Sequence, residues 1–373
     1  MPPVSRGQVY SEFGIFEDAR APRPPEVRPM SQRRNRQWLV ANRADGTASE
    51  ANFRWAETLI PEVADGQFLV RNRWLSFDPT QHFMVARESA APEQGGIPIG
   101  SPMRCIAVSE VVESRHPEFK PGDIVHGHMA WEDYTVTDGQ GFTPTYRVPD
   151  GVPPNWAVGT LGLTGLVAYF GVHEVARPKK GETMVISGAA GGVGSIASQL
   201  AKIHELRVIG IAGGPAKRDW LLREAGVDGV IDHRREDVGA RLGELCPEGI
   251  DIFFDNDGGA TLDLALERLR AGGRVVLSGA TSRYAARTPV PGPSNYLQLV
   301  MVNGRMEGLL GRDYLPRRNE AFDAMLPWLR SGRLKSKEDV LEGLREAPKG
   351  LARLYSGENV GKQLLRMDSP PEP

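Results

Sequence analysis

Met184-Val185-Ile186-Ser187 runs directly into Gly188-Ala189-Ala190-Gly191-Gly192-Val193-Gly194. The apolar residues read as a short buried strand, the glycines as a sharp turn, and the segment from about Ser195 to His204 as a helix. Glycine is needed in such a turn for three reasons. The strand must reverse into the helix, the backbone must come close to a pyrophosphate, and the helix must pack tightly on the sheet. The first amides of the helix then face the phosphates at the positive end of its dipole. The candidate cofactor contacts are therefore Gly188, Ala190, Gly191, Gly192, Val193 and Gly194. The spacing is Gly-x-x-Gly-x-x-Gly rather than Gly-x-Gly-x-x-Gly, so its context carries the assignment. Taken alone, the loop also reads as a glycine-rich turn that binds nothing.

Toward the C-terminus the same alternation repeats. Val208-Ile209-Gly210-Ile211 precedes a helix from Ala216 to Ala225, and Gly229-Val230-Ile231 precedes one from Asp237 to Leu245. Ile250 to Phe254 precedes a helix from Leu262 to Arg270, and Arg274-Val275-Val276-Leu277 is the next strand. Strands alternating with helices predict an α/β unit with a parallel, doubly wound sheet, spanning residues 159–335. The second strand bears on the cofactor. An NAD enzyme places Asp or Glu near its end, whereas here Ala212-Gly213-Gly214 is followed by Lys217 and Arg218. Glycines leave room for a 2′-phosphate and the cations attract it, which favours NADP(H). Solvated helix charges are the other reading of these two residues.

Toward the N-terminus, from about Gln37 to Trp156, short β-like runs alternate with turns and predict a small barrel or sandwich. Residues 31–158 are assigned to this β-rich domain. Residues 1–30, rich in Pro and Arg, are read as a flexible extension or the product of an upstream start, with a partner-binding arm as the alternative. A net charge of −2 gives no global attraction to nucleic acid or to an anionic membrane. No apolar run approaches a bilayer span. Two cysteines, Cys105 and Cys246, suit a reducing cytoplasm and cannot form a four-thiolate zinc site. His126 and His128 would share a strand face but lack an obvious third ligand, so they read as barrel histidines rather than metal ligands. Asp251, Asp255 and Asp257 read as a strand-end turn beside a cofactor crevice, with a carboxylate metal cluster as the alternative.

Further motifs sharpen this reading. They include Ser76-Phe77-Asp78-Pro79, Gly159-Thr160-Leu161-Gly162-Leu163, Ala168-Tyr169-Phe170-Gly171 and Phe254-Asp255-Asn256-Asp257-Gly258-Gly259. Gly279-Ala280-Thr281-Ser282-Arg283-Tyr284, Pro291-Gly292-Pro293 and Asn359-Val360-Gly361-Lys362 complete the set. With the glycine loop, and from about Gln37 to Arg366, the chain resembles the zinc-independent prostaglandin reductase and leukotriene hydroxydehydrogenase branch of the medium-chain dehydrogenases/reductases. Bacterial dihydrocurcumin-type enone reductases belong to the same branch. The resemblance implies a GroES-like β-barrel substrate domain over residues 31–158 and 336–373, a Rossmann domain, a C-terminal return to the first domain, a cleft between them and a homodimer. It also implies NADPH-dependent reduction of the carbon–carbon double bond of enones or enals, with no metal.

By position, Lys217 looks like the family lysine at the 2′-phosphate. Asn256 and Asn359 look like residues lining the ribose and nicotinamide part of the site. Tyr284 looks like the tyrosine beside the substrate carbonyl, and so the catalytic residue. Three departures stand out. Thr80-Gln81-His82 replaces Tyr-Met-Arg, placing Thr80 and His82 at the substrate pocket without the usual aromatic. His233 stands where a tyrosine often holds the 2′-phosphate. Val167 replaces a cleft threonine, with Thr164 three residues earlier. The implied chemistry is hydride transfer to the β-carbon, with Tyr284 and the cofactor's ribose hydroxyl stabilising the enolate oxygen. A quinone reductase, an alcohol dehydrogenase and a non-catalytic NADP(H)-binding sensor are the competing readings.

Overall fold

The computed structural model describes residues 33–86, 96–286 and 290–368; the extension expected over residues 1–30 lies outside them. The described chain opens with an antiparallel ribbon, β1 (Arg34–Val40) paired with β2 (Phe53–Leu59). β3 (Phe68–Ser76), β4 (Arg104–Ser114), β5 (Ile124–Ala130), β6 (Tyr134–Thr137) and β7 (Tyr146–Arg147) follow as an antiparallel sheet. Phe68, Leu75, Val125 and Trp131 fill a core of their own there.

β8 (Thr183–Ile186), β9 (Arg207–Ile211), β10 (Gly229–Ile231), β11 (Ile250–Asp255), β12 (Leu269–Leu277) and β13 (Arg305–Gly308) make the second sheet. Their spatial order is β10-β9-β8-β11-β12-β13, with every neighbouring pair parallel. The strand order reverses between β8 and β11, where a doubly wound sheet opens its ligand crevice. Both sheet faces are buried. Met184, Ile186, Ile252 and Phe254 enter one core and Val185, Ile209, Phe253 and Val275 the other, so these strands read as continuous apolar runs. Ile106 and Val108 of β4 belong to the same buried cluster as Met184 and Phe254. Finally, β14 (Glu338–Glu342) and β15 (Lys362–Arg366) join the first sheet, β15 antiparallel to β3 and parallel to β14.

Several elements differ from the sequence expectations. The helix after β8 spans Gly192–Ile203, beginning inside the glycine motif because Gly191 is its N-cap and the next residues form its first turn. The helix after β11 ends at Leu266 rather than Arg270, since Leu269 already pairs with Ile250 in the sheet. β13 has no apolar run to announce it. It is an edge strand carrying Arg305 and Glu307, and its pairing with β12 defines it.

Candidate active site

The glycine loop is held by main chain on every side. Gly191 N donates to Gly188 O at 2.9 Å, Ala189 N to Ile211 O at 3.1 Å, and Gly361 N to Ala190 O at 2.7 Å. The last bond brings the returning segment before β15 onto the loop. Gly194 is sterically required, because a Cβ there would lie 2.3 Å from Gly188 O and 2.8 Å from Ala189 Cα. Gly192, Val193 and Gly194 form the first turn of the helix, and amides at these positions have no intrahelical acceptor. They offer donors to an anion at the positive end of the dipole. Thr164 packs beside Gly192, but its hydroxyl donates to Gly159 O at 3.1 Å. Val167 instead lies against Gly311.

The opposite end of the loop crevice is cationic. Lys217, in the helix Pro215–Arg223 after β9, donates from Nζ to Gly357 O at 2.8 Å. Burial pushes its ammonium below the usual lysine range, and Arg234 adds repulsion. Arg218 turns elsewhere, donating to Val230 O at 3.2 Å and facing Glu236 at 3.8 Å. His233 is exposed, with its Nε2 over Gly213. No acidic residue occupies Ala212-Gly213-Gly214 at the end of β9.

Asn256, just past β11, is a tie between strand ends. Its Nδ2 donates to Ser187 O at 2.7 Å, and its Oδ1 accepts from Ser278 Oγ at 2.9 Å. Asp255 Oδ1 accepts from Ser187 Oγ at 2.7 Å and from Gly258 N at 2.9 Å. Asp251 sits at the start of the same strand, bonded to Thr183 N, so it does not join Asp255 and Asp257. Asn359 is buried and donates to Gly361 O at 2.8 Å. Sequence reasoning assigned Lys362 no role. It is 5% exposed, and its Nζ donates to Phe77 O at 2.8 Å and pairs with Asp78. The aliphatic part of Lys362 lies against Gly192. The Ser76-Phe77-Asp78-Pro79 and Asn359-Val360-Gly361-Lys362 motifs thus meet beside the phosphate loop.

Tyr284 lies half-buried beyond the end of β12. Its Oη accepts from Ala280 N at 3.3 Å. Burial pushes its hydroxyl above the usual tyrosine range, assisted by the charges of Asp255 and Asp257, so it remains protonated at neutral pH. Phe83 packs edge-on against it at 4.8 Å between ring centres. Phe83 and His82 belong to the short helix Gln81–Val85, which Thr80 immediately precedes. His82 is buried with Nδ1 unpartnered among the described residues, and burial lowers its pKa. It faces Tyr355 at 5.9 Å, whose hydroxyl donates to Pro79 O at 2.9 Å. The structure therefore brings Tyr284, His82, Phe83 and Tyr355 into one cluster. Phe83 and Tyr355 were not singled out from sequence. Phe83 is adjacent to the altered segment and could have been considered, whereas Tyr355 arrives from a distant helix.

The cradle fits a dinucleotide carrying a 2′-phosphate: free first-turn amides, a loop with no room for a Cβ at Gly194, and cations with no carboxylate at the end of β9. It does not fit a metal ion. Among the described residues, no group of three or more His, Cys, Asp or Glu side chains is placed to hold one. His126 stacks on Tyr146 with its imidazole held down to about 4 by burial. His128 is likewise held near 4 by burial, with Arg104 adding repulsion.

Comparisons with known proteins agree with this geometry. A family described as the N-terminal domain of oxidoreductase matches residues 36–145. One described as zinc-binding dehydrogenase matches residues 192–331. The NADPH-dependent curcumin reductase of Escherichia coli (strain K12) is 35% identical over 345 residues, covering 91% of this chain and 98% of its own. The 2-alkenal reductase (NADP(+)-dependent) of Nicotiana tabacum is 35% identical over 339 residues, covering 89% and 97%. The crystal structure of CurA in complex with NADPH from Vibrio vulnificus matches with a TM-score of 0.82 at 33% identity, covering 90% of this chain and 100% of that one.

Proposed function

Because the chain belongs to the medium-chain dehydrogenase/reductase family, in its zinc-independent branch, we propose that it is an NADPH-dependent reductase of the carbon–carbon double bond of α,β-unsaturated ketones and aldehydes. The observation that carries this reading is the position of the Tyr284 hydroxyl beyond the carboxyl end of the parallel sheet, beside the Ala280 amide, with its ring packed on Phe83.

The amides of Gly192, Val193 and Gly194, with Gly188, Ala190 and Gly191, cradle the pyrophosphate. Lys217 takes the 2′-phosphate with His233 beside it, while Arg218, bonded to Val230 O and facing Glu236, is committed elsewhere. Asn256 and Asn359 hold the strand-end and returning segments that line the nicotinamide part of the crevice. When bound, NADPH supplies the hydride received by the substrate's β-carbon. Tyr284 donates a hydrogen bond to the carbonyl oxygen as negative charge develops there. The Ala280 amide already occupies an acceptor site of the hydroxyl, so the proton is free to face the substrate. A donor fixed before reaction stabilises the developing charge without reorganising water. Thr80, His82 and Phe83 wall the pocket, Phe83 supplying the aromatic surface that position 80 lacks. Solvent delivers the α-proton.

A homodimer fits this reading. β13 ends the parallel sheet, and Leu297, Val300 and Met301 beside it are exposed. Strand pairing with a second copy would cover both the open edge and the apolar side chains. Val300→Glu with Met301→Glu should then give a monomer by sedimentation velocity. Both cysteines are free and buried, which supports a cytoplasmic setting.

The activity is tested by NADPH oxidation with enones, enals, quinones and simple ketones, with NADH in parallel. Oxidation driven by enones and enals, with NADPH preferred, is expected. Oxidation driven only by quinones would contradict the proposal.

A further inference from the structure

By sequence alone, the second cation of the cofactor site is Arg218, the neighbour of Lys217. The fold brings a different residue to that place. We propose that Arg234, on the turn after β10, is the second direct ligand of the cofactor's 2′-phosphate and a determinant of NADPH over NADH. This inference rests on the NADP(H) assignment of the crevice.

Gly213 at the end of β9 locates the residue. A Cβ there would lie 2.7 Å from Arg234 Nε and 2.8 Å from both Arg234 Cδ and His233 Nε2. Arg234 therefore crosses the strand end where an NAD enzyme would place the carboxylate for its ribose diol. Glycine at 213 is what lets the guanidinium lie there.

Arg234 and Lys217 then converge on one point. Arg234 NH2 donates to Ser356 O at 2.9 Å, and Lys217 Nζ donates to Gly357 O at 2.8 Å. These are consecutive carbonyls at the C-terminus of the helix Ala347–Ser356, the negative end of its dipole. A Cβ on Gly357 would be 3.0 Å from Arg234 NH2 and 3.8 Å from Lys217 Nζ, so a single small anion can reach both. Two cations held this close repel each other, and Arg234 is among the causes that lower the Lys217 pKa. The carbonyls offset part of that repulsion. A phosphomonoester, with nearly two negative charges and three terminal oxygens, can accept from both cations at once.

Two neighbouring charges are already engaged. Arg218 donates to Val230 O and faces Glu236. Asp232, two residues before Arg234, turns Oδ1 to the amides of Gly214 and Arg234 at 3.2 and 3.1 Å.

The test is calorimetric binding of 2′,5′-ADP and of 5′-AMP to the full chain and to Arg234→Ala, Arg234→Lys and Arg218→Ala. The unmodified chain should bind 2′,5′-ADP at least about tenfold more tightly than 5′-AMP. Arg234→Ala should weaken 2′,5′-ADP by about 10- to 100-fold, the range of a charge-assisted contact, while 5′-AMP changes less than about twofold. Arg234→Lys should recover most of the loss, and Arg218→Ala should cost less than about threefold. Undiminished 2′,5′-ADP binding in Arg234→Ala, a larger loss in Arg218→Ala, or a parallel loss of both ligands would overturn the assignment. Failure of the unmodified chain to distinguish the ligands would overturn it together with the NADP(H) reading.

Discussion

At the phosphate end of the crevice, the loop from Gly188 to Gly194 is fixed by backbone bonds to β9 and to the returning segment. At the substrate end, Tyr284, His82, Phe83 and Tyr355 meet through side chains from three separate stretches. The two ends therefore have different tolerances. The backbone cradle has no room for a side chain at Gly194. A side-chain wall can be rebuilt one residue at a time, and here the aromatic missing at Thr80 has a neighbour in Phe83. The phosphate end sets which cofactor binds and the substrate end sets what is reduced.

The contrast is sharpest for Gly194→Val. With the backbone already 2.3 Å from the first added carbon, the substitution should destabilise the domain by about 1–3 kcal/mol. It should also weaken NADPH binding by roughly 10- to 100-fold, read by thermal melting and fluorescence titration. A variant that binds normally would show that the loop yields more than its packing suggests. At the other end, Tyr284→Phe removes one donor and leaves the wall standing. Its kcat should fall about a hundredfold while the NADPH dissociation constant changes less than about threefold; an equal loss in both would place Tyr284 in cofactor binding instead. Lys217→Ala should raise the KM for NADPH by about tenfold or more with little effect on NADH.

A smaller effect separates the crevice from the barrel beside it. His126 is fully buried with both ring nitrogens unpartnered among the described residues and is held near 4 by burial. An unfolded imidazole titrates near 6.5, so below that pH the unfolded chain takes up the proton first. Its contribution to stability is therefore present above about pH 6.5 and lost as the pH falls toward 4. The melting temperature should drop by several degrees between pH 7 and pH 5, and His126→Phe should shrink that drop. No change in the pH profile would mean that other groups govern acid unfolding.

The parallel sheet was legible because its strands are buried on both faces, so Met184-Val185-Ile186 and Ile250 to Phe254 stand out as apolar runs. The glycine loop was legible because its constraint is local. β13 was not, since an exposed edge strand carries charges in place of an apolar run. Arg234 was not singled out for a related reason: its place depends on Gly213, Ser356 and Gly357, which only the folded chain brings together. Lys362 lay inside a motif already quoted, yet its burial against Asp78 follows from how β15 returns to β3. Contacts within one βα unit could be read along the chain, while those that join segments more than a hundred residues apart needed the fold.

The most direct measurement uses NADPH deuterated on the transferring face of C4, an enone substrate and ordinary water, with the product examined by NMR. A saturated ketone with deuterium at the β-carbon and solvent hydrogen at the α-carbon is expected, formed by the unmodified chain and about a hundredfold more slowly by Tyr284→Phe. Deuterium on a carbinol carbon, with the double bond intact, would contradict double-bond reduction.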